Sequence, residues 1–172
     1  NAHINKSILL NSWANIHSLL IDILELAEKY TECDFIIRAK HTGWTKIDYF
    51  VNTLEALNKK KNIKIVNNYD DYDISYTLLS DVYAVIGHHT SIADEAICYR
   101  IPVLFHDFGP YAESIYAKNY NYDKLDIFSK SSTEFQLKFY NYFIKNQYPK
   151  EFQSYVDNTF GELGDGIVLK RV

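Results

Sequence analysis

Four short apolar runs between residues 34 and 107 leave few folds open to this chain. They are DFIIRAK (34–40), NIKIVN (62–67), DVYAVIG (81–87) and IPVLFHD (101–107), and each is separated from the next by a stretch with helical spacing. The intervening stretches are IDYFVNTLEALNKK (47–60), DISYTLLS (73–80) and SIADEAICYR (91–100). Apolar runs this short fit buried strands, and the stretches between them suit crossover helices. Repeated β-α-β units of this kind predict an α/β fold: a Rossmann-like parallel sheet with helices on both faces and right-handed crossovers.

The flanks extend the same pattern. SILLNSW (7–13) reads as one more strand, and NIHSLLIDILELAEKY (15–30) places Ile16, Leu19, Leu20, Ile23, Leu24 and Ala27 on one helical stripe. After residue 110 the pattern changes. SSTEFQLKFYNYFIKN (131–146) opens with Ser131 and carries Glu134 three positions on, which is the signature of a capping box. PKEFQSYVDNTFG (149–161) reads as a helix opened by Pro149 and closed by Gly161. With 172 residues and no convincing linker, the chain is expected to form a single domain over 1–172.

Composition narrows the partners. A net charge of −4 supplies no cationic field for a nucleic-acid backbone or an anionic membrane, so no nucleic acid is expected. The lysines of NKKKNIK (58–64) read as a solvated helix end that complements the dipole. Cys33 and Cys98 are far apart in apolar contexts and are expected to be free thiols in a reducing compartment. No run approaches the roughly 18 apolar residues of a spanning helix, and a cytoplasmic location, with possible attachment at the inner face of the membrane through missing regions, is expected. The chain has no methionine, so it is expected to be a fragment of a longer protein.

Ligands of open α/β sheets bind where strands end and helices begin, and that rule selects the residues to weigh. After the third of the four runs, Gly87 permits a tight turn, and Thr90 and Ser91 offer hydroxyls and free N–H groups at a helix start, an arrangement that holds phosphate oxygens. Capping alone would account for one hydroxyl, with Asp94 completing a box. It would not account for His88 and His89, which are costly to bury without partners. Glu95, one turn on, suits the vicinal diol of a ribose, and a solvated helix face is the alternative. Arg38 and Lys40 leave a buried strand pointing the same way, beside His41, and offer positive charge to a diphosphate.

Other chemistries fit less well. His41, His88, His89, His106 and Asp107 include good metal ligands, but adjacent histidines rarely reach one ion and no i,i+4 pair is present, so no metal is expected. A hydrolase using Ser91 lacks the Gly-x-Ser-x-Gly elbow.

The segment DVYAVIGHHTSIADEAICYRIPVLFHD (81–107) resembles the donor-binding segment of GT-B-fold transferases: strand, hydroxyl pair, Glu-Ala, Pro-Val, strand. FIIRAKHTGW (35–44) looks like the Arg/Lys-His-Pro segment of the CDP-glycerol glycerophosphotransferase-like and capsular polysaccharide enzymes, with Thr42 where they have Pro. NIKIVNNYDDYDISYTLLSDV (62–82) is similar to their strand, short helix and Leu-x-Ser-Asp step, and GELGDGIVLKRV (161–172) to their Asp-Gly-x-x-x-x-Arg. The resemblance implies the C-terminal, nucleotide-binding half of such an enzyme, the N-terminal acceptor domain being absent. His41, Thr90, Ser91 and Glu95 would then contact the activated donor, Asp107 would lie in the same loop system, and His88 or His89 would act at the phosphates. His89 intrudes before the hydroxyl pair, and the Arg and Pro-Gly features of the glycerophosphotransferases do not follow Asp107 and Tyr111.

The function expected is transfer of a glycosyl or polyol-phosphate group from a nucleotide-activated donor in cell-surface polysaccharide synthesis, with no cofactor beyond that substrate. The alternatives are a nucleotide-sugar 2-epimerase, which would need no acceptor, and a non-catalytic component of a polysaccharide assembly or export complex.

Overall fold

The computed structural model describes residues 2–38, 42–66, 74–88, 91–106, 108 and 122–161, with the backbone alone at 2–12, 42 and 123. The protein is α/β, with two small parallel sheets flanked by helices. It divides into two compact units, residues 1–74 and 75–172.

In the first unit, helix α1 (Ala2–Lys29) precedes strand β1 (Phe35–Arg38), two 3-10 turns (Thr42–Lys46 and Asp48–Phe50), helix α2 (Val51–Asn58) and strand β2 (Ile63–Val66). SILLNSW is therefore the early part of α1 and not a strand. The reason is visible in the spacing: Ile4, Ile8 and Trp13 run into Ile16, Leu20, Ile23 and Ala27 at steps of three to five, a helical stripe with no period of two. Leu20 packs with Trp44, Phe50 and Leu57, so α1, the turns and α2 share one core. The end of α1 is closed by a long-range cap: the Asn62 side-chain amide donates to the carbonyls of Ala27, Tyr30 and Cys33 at 3.0, 3.4 and 3.0 Å. That bonding satisfies orphan carbonyls and pins β2 to the helix end. β1 and β2 are parallel, with Phe35 opposite Ile63 and Arg38 opposite Val66.

The second unit holds most of helix α3 (Ile74–Asp81), then strand β3 (Val85–Gly87), helix α4 (Ser91–Cys98), strand β4 (Val103–His106), a 3-10 turn (Tyr122–Leu125), strand β5 (Phe128–Ser129), helix α5 (Ser132–Phe139), a π turn (Tyr140–Ile144) and helix α6 (Glu151–Phe160). The three strands form one parallel sheet in the order β3-β4-β5. Asp81, expected to open a strand, ends α3 instead.

Alternation sorts the side chains of this sheet onto two faces. On one, Phe105 stacks on its register partner Phe128 at 4.7 Å and joins Val103, Ala93, Ala96, Ile97, Phe152 and Val156 in the main core. On the other, His106 lies opposite Ser129 in register and meets Phe135 of α5 edge-on at 4.9 Å. α5 starts with the expected cap: the Glu134 backbone N–H donates to Ser131 Oγ at 3.2 Å, while the Glu134 carboxylate accepts from the Lys130 N–H at 2.9 Å. Gly161 closes α6 at φ 55°, a left-handed conformation that favours glycine.

Candidate functional site

The site takes its shape from the carboxyl edge of β3, β4 and β5. Gly87 is the last residue of β3, hydrogen-bonded in the ladder opposite Phe105. Its backbone is not in the left-handed region. Among the described residues no atom lies within 4 Å of where its Cβ would sit, so what glycine leaves at this strand end is room. His88 follows on the α5 side of the sheet. Its ring meets that of His106 nearly at right angles, 87°, with centroids 5.4 Å apart.

α4 begins at Ser91, which is exposed, and carries its two acids one turn in. They have separate tasks. Asp94 accepts a hydrogen bond of 2.8 Å from Tyr122, whose ring is wholly buried; burial first, and then the Asp94 carboxylate, push that phenol far above its usual range. Asp94 is thereby engaged in a tertiary contact beyond any capping role. Glu95 is half-buried, and its Oε2 is out of contact with solvent and finds no hydrogen-bond partner among the described residues. A carboxylate oxygen withdrawn from water without a donor is a cost to the folded state, and such groups are rare in native proteins. Cys98, one turn beyond Asp94, has its thiol pushed up by burial and by the carboxylates of Asp94 and Glu95.

The structure thus brings Gly87, His88, Ser91 and Glu95 to one strand-to-helix junction of the second unit. Arg38 ends β1 in the first unit, with its Nε buried and without a hydrogen-bond partner. Lys40, His41, His89, Thr90 and Asp107 lie outside the described residues. Among the described residues no three His, Cys, Asp or Glu side chains group as ligands of one ion. No helix among them is long and apolar enough to cross a membrane.

Two residues at this edge were missed as a pair by reading the sequence. His106, weighed there only as a metal ligand, is fully buried at the end of β4, and its ring also lies 3.8 Å from that of Phe108. Ser129, its neighbour on β5, is equally buried, and its hydroxyl has no hydrogen-bond partner among the described residues. The signal was available in principle, because the capping box at Ser131 puts the end of a strand just before it. What spacing could not supply was the register that sets Ser129 beside His106. No protein-family model, no curated protein and no solved structure matches this chain.

Proposed function

We propose that this chain is the donor-binding half of a GT-B-fold transferase, moving a glycosyl or polyol-phosphate group from a nucleotide-activated donor in cell-surface polysaccharide synthesis at the cytoplasmic side of the membrane. The observation that carries the reading is the buried, unpartnered Oε2 of Glu95, one turn into a helix that starts at the carboxyl edge of a parallel sheet. A vicinal diol such as that of a ribose supplies donors to a carboxylate and would remove its desolvation cost on binding. The amino end of α4 at Ser91 offers N–H groups to phosphate oxygens. Space above Gly87 lets a diphosphate approach the backbone.

In this reading a ring N–H of His88 donates to the departing nucleoside diphosphate and stabilises its negative charge, and His89 is the other candidate for that task. Thr90 adds a second hydroxyl to that of Ser91. Nothing in the step calls for a cofactor. The acceptor is held by a further domain of the same protein.

Calorimetry on the chain with CDP, UDP and their sugar or glycerol conjugates tests the proposal. One of these ligands is expected to bind, and Glu95→Gln is expected to weaken it about tenfold, the worth of a hydrogen bond to a charged group. The absence of binding by every CDP and UDP derivative would overturn it.

A further inference from the structure

The three polar side chains on the α5 side of the sheet edge are ordered by depth. Ser129 and His106 are fully buried, whereas His88, at the open end of β3, is only partly so. Ser129 and His106 are register partners on adjacent parallel strands, so their side chains leave the same face about 5 Å apart. Phe105 and Phe128, one residue earlier on each strand, stack on the opposite face and confirm the assignment. His106 is held on its other sides by Phe108 and Phe135, so its ring has few orientations open to it. It presents that ring to His88 nearly perpendicularly.

A fully buried hydroxyl with no hydrogen-bond partner among the described residues gains no favourable polar contact from them. An apolar residue of the same size would serve packing as well. The hydroxyl can both donate and accept, so it can pair with either tautomer of a neighbouring imidazole.

We infer that His106 is a positioning residue for His88, and that Ser129 is the hydrogen-bonding group His106 turns to when His88 engages its ligand. This deepens the proposed function and rests on its assignment of His88 to the phosphates. In that arrangement His106 selects which ring nitrogen of His88 carries the proton and faces the departing diphosphate. The Ser129 hydroxyl stabilises His106 in the orientation that does so. No covalent step is involved.

The test compares the chain with its His106→Phe, Ser129→Ala and Ser129→Thr variants. The ratio of the two His88 tautomers is read from imidazole nitrogen NMR, without ligand and with saturating CDP or UDP, and affinities are read by calorimetry. His106→Phe is expected to change the tautomer ratio in the free protein and to weaken nucleotide binding about tenfold. Ser129→Ala is expected to leave the free ratio unchanged, shift it in the nucleotide complex and weaken binding about threefold. Ser129→Thr, which keeps a hydroxyl, is expected to behave as the parent chain. An unchanged His88 ratio in both His106→Phe and Ser129→Ala, with ligand as without, overturns the positioning role, even if affinity falls. A changed free ratio in His106→Phe, where no form of the chain binds CDP or UDP, supports the positioning of His88 and rejects the nucleotide reading instead.

Discussion

Two sets of polar groups in the second unit are built on opposite principles. Around α5, Lys138 is nearly buried, and its ammonium contacts Asp126, Glu134 and the carbonyl of Phe128, while Tyr142 donates to Asp126 as well. Every charge there has a counterpart. On α4 and β5, on opposite faces of the same sheet, Glu95 Oε2 and Ser129 Oγ are withdrawn from water and have none among the described residues. The first set is structural, and the two oxygens of the second are where the proposed function and its extension place a ligand and a positioning group.

The comparison would break first at Lys138. Lys138→Ala leaves Asp126 and Glu134 facing each other and exposes the Phe128 carbonyl, and should cost roughly 2–3 kcal/mol, measured by urea denaturation. A loss below about 0.5 kcal/mol would show that the network is ornament.

Acid provides the next test. Burial pushes the Asp126 and Glu134 carboxyls up, but the hydrogen bonds from Lys138, with Tyr142 at Asp126 and the Lys130 N–H at Glu134, outweigh it and hold both below the usual range. A carboxyl depressed in the fold stabilises it at pH values above its unfolded pKa. That contribution is lost as pH falls through the folded pKa. Stability should therefore drop from about pH 4 downward. The drop should shrink in Lys138→Ala, and an identical acid limb in the two proteins would contradict the assignment.

The strand edge should respond in the opposite sense. Glu95→Leu removes a carboxylate whose desolvation nothing repays, so it should be neutral or raise stability by about 1 kcal/mol while abolishing any diol binding. A destabilisation of more than about 1 kcal/mol would mean that Glu95 has a structural partner. The smallest effect is expected at Gly87, whose backbone an alanine can adopt: Gly87→Ala should gain roughly 0.5 kcal/mol in chemical denaturation by restricting the unfolded chain. If the room above it is used, nucleotide binding should weaken all the same.

Much of the helical framework was legible in the chain. The Ser131–Glu134 cap appeared where expected because its bonds join residues within one turn of each other. The α3-to-β4 alternation was readable because short apolar strand runs alternate with stretches of helical spacing. SILLNSW misled because a short apolar run serves a strand or a buried helix turn equally well, and only its continuity with the stripe of Ile16 to Ala27 separates the two. Gly87 was read as a residue that lets the chain turn; it ends β3 without a positive φ, and residues 89–90, which carry the chain on to α4, lie outside the described residues.

What the sequence determined by itself was the local part: which runs are apolar, where hydroxyls and acids follow a strand, and which helices have caps. Tertiary structure alone decided the division of labour among those residues. Asp94 and Glu95 are adjacent and chemically alike, yet one meets Tyr122 from 28 positions away and the Oε2 of the other, buried, meets no donor among the described residues. His106 and Ser129 are separated by more than twenty positions, and strand register makes them neighbours. Local spacing is set by the geometry of a single element, but whether a buried polar group finds a partner depends on what distant segments bring to it.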